Sequence, residues 1–309
     1  MKYLFGPVNS RRLGVSLGVD LMPYKTCSLN CVYCECGGTT SLTSELAEYV
    51  PTEDVIAELD GYLAGSPRLD VITFSGSGEP TLHSGIGRII RHIRERYPQY
   101  KIAVLTNGTL LWNPAVRSSI APADIVVPSL DAVSPGAFEK IGRPAGGITP
   151  DRVVDGLVEF RKEFPGRLFL EIFIVPGVND TPEELAGLRD AALKIRPDSV
   201  QVNSLDRPGA EVWVEPAGRK ELESLRELFA PLKVEIIGRP AERVYEDRHV
   251  TDMMKEIISI LRRRPSTLDD LRLALGSDRE TLGKVLESMI GKEMITAEEL
   301  DRGKFYRIV

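Results

Sequence analysis

Four cysteines fall within ten residues, Cys27-Ser-Leu-Asn-Cys31-Val-Tyr-Cys34-Glu-Cys36, and the rest of the 309-residue chain has none. A disulfide framework spreads its cysteines to join distant segments, so this clustering points to a metal centre. Cys27, Cys31 and Cys34, spaced CxxxCxxC, suffice for three corners of an iron–sulfur cubane and leave the fourth iron open to a small-molecule chelator. Zinc is the alternative for clustered thiolates, but a structural zinc site normally draws a second ligand pair from farther along the chain. Only Cys36 is then left over, which disfavours an auxiliary cluster and makes Cys36 a local cysteine beside the first one.

Positioning such a loop is the task of the surrounding elements. Strands are predicted at VSLGVDL (from Val15), VITF (from Val71), KIAVLT (from Lys101), DIVVPSL (from Asp124), RLFLEIFIV (from Arg167) and SVQVNSL (from Ser199). Helices are predicted near residues 52–64, 84–96, 151–164, 182–195 and 218–229, several with start signals such as Thr181-Pro182 before Glu183 and Glu184. Six β-then-α units imply a parallel sheet with right-handed crossovers, and, with two units fewer than a closed eightfold barrel, a partial (β/α)6 barrel. Polar residues just past successive strands converge at one end of such a barrel. Here they are Ser75-Gly76-Ser77-Gly78-Glu79-Pro80, Thr106-Asn107-Gly108 and Ser129-Leu130-Asp131. Glu171, Asn203 and Arg207, on or after later strands, either line the same mouth or are ordinary charged strand ends.

CxxxCx(aromatic)C after the first strand of a β/α protein resembles the signature of the radical S-adenosylmethionine (SAM) superfamily, with Tyr33 at the aromatic position. The resemblance covers roughly residues 5–240. It implies a [4Fe–4S] cluster on Cys27, Cys31 and Cys34 whose open iron binds SAM, and reductive cleavage to methionine and a 5′-deoxyadenosyl radical that abstracts hydrogen from a substrate. SGSGEP resembles the family's glycine-rich element, which implies that Ser75, Gly76, Gly78 and Glu79 contact SAM, the glycines permitting close backbone approach. By the same resemblance Tyr33, Asn107, Ser129 and Asp131 are cofactor-binding. An electron donor of flavodoxin or ferredoxin type is implied as a partner. More narrowly, FGPVNSRRLGVSLGVDLMPYKTCSLNCVYC, SGSGEPTL, VPSLDA, VPGVND and VQVNSLDRPG resemble the radical SAM oxidoreductases related to wyosine-tRNA synthesis enzymes. Arg11, Arg12 and Lys25, with Asn203 and Arg207, are candidates to bind substrate, the basic ones an anionic one. Structural ion pairing is the equal alternative for Arg11, Arg12 and Lys25.

After Gly238-Arg239-Pro240 the pattern changes, giving expected domains 1–240 and 241–309. The second reads as three short helices and a β-ribbon turning at Asp301-Arg302-Gly303, a small winged-helix-like domain. From Thr251 to Val309 there are 11 basic and 11 acidic residues, and the expected recognition helix, Arg279 to Ile290, carries Glu280 and Glu287 beside Arg279 and Lys284. That balance disfavours DNA binding and favours a lid, a docking surface or a dimer contact. His83, His92 and His249 are expected to pack or lie at the surface.

A net charge of −6 argues against a whole surface that tracks nucleic acid. No apolar run nears the roughly 18 residues of a membrane span, and MKYLFGPVNSRRLG lacks a secretory pattern, so a cytoplasmic location is expected. The leading expectation is a radical SAM enzyme acting on an RNA base, a protein or a small molecule. Its rivals are a glycyl-radical activase and an iron–sulfur redox sensor that controls the winged helix.

Overall fold

The computed structural model describes residues 1–10, 12–237, 250–300 and 303–309. Arg11, His249, Asp301, Arg302 and the expected boundary at 240/241 lie outside the described residues.

The chain opens with β1 (Leu4–Ser10), β2 (Gly14–Val19) and two short strands, β3 (Thr26–Cys27) and β4 (Ser41–Leu42). It continues through α1 (Thr52–Leu63), β5 (Val71–Phe74), α2 (Ile86–Arg96), β6 (Lys101–Thr106), α3 (Pro114–Ile120) and β7 (Ile125–Pro128). Then come α4 (Pro135–Gly142), α5 (Pro150–Glu163), β8 (Arg167–Ile174), α6 (Pro182–Ile195), β9 (Ser199–Ser204), α7 (Arg219–Leu228) and β10 (Val234–Ile236). The six strands expected from the sequence are β2 and β5 to β9, and they pair in parallel in that order. Two edges were not anticipated: β1 pairs antiparallel with β2, and β10 extends the parallel run beyond β9. The Gly6-Pro7 pair within β1 hides its alternation, and the pairing register shifts between Phe5 and Val8. Proline is tolerated there because β1 lies at the edge of the sheet.

Side-chain alternation gives the sheet two faces. Leu168, Leu170, Ile172 and Ile174 of β8, with Val200 and Val202 of β9, pack against helix residues such as Leu157, Phe160, Leu188 and Ala192. The alternate positions carry Glu171, Gln201 and Asn203, so the inner face is polar rather than an unbroken apolar layer. Four helices begin alike, with a capping side chain followed by proline: Asn113-Pro114, Ser134-Pro135, Thr149-Pro150 and Thr181-Pro182. The cap accepts an otherwise orphaned N–H, and the fixed φ of proline suits the first helical position.

Beyond the undescribed segment come α8 (Val250–Leu261), β11 (Ser266–Thr267), α9 (Leu268–Leu275), α10 (Arg279–Gly291), β12 (Ile295–Leu300) and β13 (Gly303–Ile308). The strands form an antiparallel sheet in the order β11-β13-β12. Ile257, Leu271, Leu282, Leu286 and Met289 form a core separate from that of the barrel. The cations of α10 are paired, Arg279 with Asp269 and Lys284 with Glu280.

Candidate active site

Cys27 ends β3, where it pairs with Leu42 of β4. The loop that follows is pinned along its length by backbone hydrogen bonds. Asn30 N–H donates to Gly142 O at 2.7 Å, Val32 N–H to Ile141 O at 3.0 Å and Ala145 N–H to Ser28 O at 2.9 Å. From the other side, Glu211 N–H donates to Val32 O at 2.9 Å. Two successive turns, Cys34 N–H to Cys31 O and Gly37 N–H to Cys34 O, gather the remaining thiols. Among the described residues no three His, Cys, Asp or Glu side chains converge on a single ion.

The thiols differ sharply in acidity. Contact with the Cys36 thiol brings Cys34 down to about 5; burial opposes the shift and the Lys25 ammonium assists it. Burial pushes Cys27 up to about 12, with the Glu79 carboxylate adding to it. Cys31 is raised by burial and by the neighbouring thiols, Cys36 by its contact with Cys34 and by burial. A metal that takes these sulfurs as thiolates therefore releases protons as it binds. Lys25 Nζ donates to Cys34 Sγ at 3.0 Å. Burial works against its charge, and the thiols of Cys34, Cys36 and Cys27 outweigh that effect.

The glycine-rich turn sits directly against this loop. Gly76 has φ +134°, and a β-carbon there would lie 2.4 Å from the Asp20 carboxyl carbon. One on Gly78 would lie 2.0 Å from Thr26 O. These glycines make room for Asp20 and for the backbone of β3. Ser75 N–H donates to Val19 O at 3.1 Å. Glu79 is buried. Its Oε1 accepts from Thr81 N–H, Thr81 Oγ1 and Thr106 Oγ1, and its Oε2 from Asn107 N–H at 2.7 Å. Burial raises its pKa and these hydrogen bonds restrain the rise.

Asn107 ties the turn to the cysteines, because its Nδ2 donates to Ser28 Oγ at 2.9 Å and to Cys27 Sγ at 3.5 Å. With Ser129, Asp131 and Leu29 it lines a cavity of about 20 Å³. The Tyr33 hydroxyl donates to Asp131 Oδ2, and the Tyr33 ring stacks on Phe173 with centroids 3.8 Å apart. Phe173 N–H donates to Asp131 Oδ1 at 2.8 Å. Burial raises Asp131 to about 7, against the pull of these two donors.

Of the residues expected to bind substrate, the described part of the structure brings Arg12 and Asn203 together and places Lys25 and Arg207 in other contacts. Arg12 donates to Gln201 Oε1 at 3.3 Å and pairs with Glu171, which also accepts from Asn203 Nδ2 at 3.0 Å. Arg12 and Asn203 thus form a network on the inner face of the sheet. Arg207 is buried; it donates to Glu35 Oε2 and to Asp270 Oδ1, each at 3.2 Å. Lys25 faces a sulfur rather than open space. His83 is fully buried: its Nδ1 accepts from Gly85 N–H, so Nε2–H donates to Val50 O at 2.8 Å. His92 pairs with Asp60.

Two residues of the site were not anticipated. Asp20, at the end of VSLGVD, accepts from Ser77 Oγ at 2.7 Å and from Arg263 Nε at 3.0 Å. Arg263 follows α8, stacks over the Phe5 ring at 4.4 Å, and its carbonyl accepts from Cys36 Sγ at 2.7 Å. A signal existed only for Asp20, an acid placed where a strand runs out beside the cysteine loop. Between the two parts lies a cleft of about 1170 Å³, lined by Asp20, Ser77, Cys36 and Pro208 on one side and by Lys255 and Arg262 on the other.

The Radical SAM superfamily profile matches residues 21–188, more than half of the chain. A Helicobacter pylori UPF0026 protein is 30% identical over 305 residues, covering 98% of this chain and 96% of its own. A Brachyspira hyodysenteriae protein named GTPase Obg is 33% identical over 300 residues; this chain is covered to 96% but spans only 44% of that protein's length. The Streptococcus suis SuiB structure bound to precursor peptide SuiA shares the fold, with a TM-score of 0.55 at 16% identity over 72% of this chain and 48% of that one. These relatives support membership at the level of the superfamily, not the narrower wyosine-related group. The donor set fits the superfamily's cofactors: a thiol loop held by backbone hydrogen bonds, with a buried ammonium directed at one sulfur. The chain belongs to the radical SAM superfamily and takes that family's two cofactors, a [4Fe–4S] cluster and S-adenosylmethionine.

Proposed function

We propose that the protein is a SAM-cleaving radical enzyme whose cluster is held by Cys27, Cys31 and Cys34, and that its substrate enters by the cleft beneath the C-terminal part. The observation that carries this reading is Asn107, which hydrogen-bonds to Cys27 and to Glu79 together and so fixes the cysteine loop and the glycine-rich turn in one unit. When bound, the cofactors supply one-electron reductive cleavage of SAM, giving methionine and a 5′-deoxyadenosyl radical that takes hydrogen from the substrate.

The chain's own residues bind and orient. Oε1 of Glu79 is filled by three donors, whereas Oε2 accepts one and keeps a lone pair for the amino group of SAM. Ser129 and Asp131 share a cavity wall with Asn107 and are the next polar contacts. Tyr33, clamped between Asp131 and Phe173, holds the loop's last turn. Polar groups fixed beforehand lose little freedom when the ligand arrives.

The order helix, strand, helix, helix, hairpin beyond residue 249 supports the winged-helix reading, and this part serves here as a lid. Arg263 on Asp20 and Arg207 on Asp270 hold it over the mouth. The cleft exceeds the usual volume of a small-molecule site, which leaves room for an RNA base, a peptide segment or a metabolite. A flavodoxin- or ferredoxin-type donor supplies the electron. No described helix is long and apolar enough to cross a membrane, and a cytoplasmic site of action is part of the same proposal.

Anaerobic reconstitution with iron and sulfide, then dithionite and SAM, tests this by chromatography of 5′-deoxyadenosine. Its formation, lost in Cys31→Ala, supports the reading. The contact of Cys36 with the Arg263 carbonyl favours a second reading, a redox sensor that moves the winged helix. A loaded cluster whose oxidation state loosens that domain without SAM turnover would favour the sensor.

A further inference from the structure

Lys25 is 3% exposed, and its ammonium is directed at the Cys34 sulfur of the cysteine loop. A buried ammonium without an opposing charge is strongly disfavoured. The hydrogen bond of this one goes to Cys34 Sγ at 3.0 Å. The backbone holds the side chain to that direction. Lys25 N–H donates to Ser77 O at 3.0 Å, and Lys25 O accepts from Thr40 N–H and Ser41 N–H, each at 3.0 Å. The residue also has φ +52°, the left-handed region that glycine or asparagine ordinarily fills. The fold therefore keeps a long cationic side chain where the backbone favours a small residue, and directs its charge at a sulfur.

We propose that Lys25 is a positioning residue that sets the reduction potential of the cluster, its charge and its hydrogen bond to Cys34 Sγ making one-electron reduction easier. The inference rests on the reading of Cys27, Cys31 and Cys34 as cluster ligands. Hydrogen bonds to ligand sulfurs and nearby positive charge both stabilise the more negative, reduced state. An external one-electron donor loses one electron, the cluster passes from the 2+ to the 1+ state, and Lys25 keeps its protons throughout. Asn107 Nδ2, at 3.5 Å from Cys27 Sγ, is a weaker neutral donor of the same kind.

The test is an anaerobic redox titration of reconstituted wild type, Lys25→Met and Lys25→Arg, with iron and sulfide counted first and the reduced cluster read by electron paramagnetic resonance. In Lys25→Met the reduced-to-oxidised ratio at a fixed potential is expected to fall at least tenfold, about 59 mV for one electron. Lys25→Arg, which keeps the charge, is expected to stay within threefold of wild type. A fully loaded Lys25→Met with an unchanged ratio overturns the proposal. Should Lys25→Met fail to hold a cluster, wild type labelled with 15N-lysine decides instead: a 15N coupling to the reduced cluster supports the contact, and its absence overturns it. A wild type that forms no cluster at all would sink the ligand assignment and this inference with it, an outcome distinct from an unmoved potential.

Discussion

Arg263 Nε donates to Asp20 Oδ2 at 3.0 Å, and the same carboxylate oxygen accepts from Ser77 Oγ at 2.7 Å. One buried acid thus joins the C-terminal part to the glycine-rich turn. Both ion-pair partners are largely out of water, with side chains 13% and 6% exposed. Removing one partner of such a pair costs about 3 kcal/mol, because the other is left buried and unpaired. Arg263→Met is expected to lower stability by that order and to speed proteolysis between the barrel and the C-terminal part. Urea unfolding and timed trypsin digests check this; unchanged digestion would show that Asp20 does not hold the lid.

Arg207→Met is expected to behave in the same way, with a loss of about 3 kcal/mol, since the buried Arg207 pairs with the buried carboxylate of Asp270 as well as with the partly exposed Glu35. A residue that bound substrate would show little change in melting temperature on substitution. A normal melt for Arg207→Met would favour the substrate role over the structural one.

Glu79→Gln is expected to keep the cluster but weaken SAM binding by at least tenfold, about 1.4 kcal/mol. With the amide oxygen on the three donors at the Oε1 position, the amide nitrogen meets Asn107 N–H and has no lone pair for an incoming amine. Equilibrium dialysis of the iron-loaded variant gives the affinity. Wild-type affinity would remove Glu79 from the SAM site and leave it a structural acceptor.

The ligand assignment is open to direct chemistry. Cys27→Ala, Cys31→Ala and Cys34→Ala are each expected to lose the cluster, while Cys36→Ala retains it. Iron and sulfide counts on the four variants decide, and iron loss confined to Cys36→Ala would reverse the assignment.

Asp131 gives the iron-free protein a pH signature. Burial raises its folded-state pKa from an ordinary 3.8 to about 7. A carboxyl group raised in this way favours the folded state fully below its unfolded pKa, and that contribution is lost as pH rises through the folded pKa. The window is therefore pH 4 to 7, and the loss is on the order of 4 kcal/mol. Asp131→Asn is expected to flatten this decline in urea unfolding curves. An equal decline in both proteins would assign it to another group.

Much of this site was legible because the signal was local. CxxxCxxC, SGSGEP and the six apolar runs each lie within a few residues, and each sits at the end or along the length of a parallel strand as read. The short helices α3 and α4 carried clear cap–proline starts at Asn113 and Ser134 but offer only seven and eight residues of pattern. What stayed hidden was long-range pairing. Glu79 is held by Thr106 and Asn107, 27 and 28 positions away, and Arg12 meets Glu171 across 159. Nothing near Arg207 in the sequence announces Asp270, 63 residues later. A charged residue after a strand has the same appearance whether it awaits a substrate or already has a partner.

The account stands most directly on the spectrum of the reduced cluster with and without SAM, with 5′-deoxyadenosine counted in the same sample. Binding at an open iron is expected to change the spectrum, and the nucleoside is expected to accumulate in wild type but not in Cys31→Ala. A loaded, reduced cluster whose spectrum ignores SAM, with no 5′-deoxyadenosine formed, would contradict it.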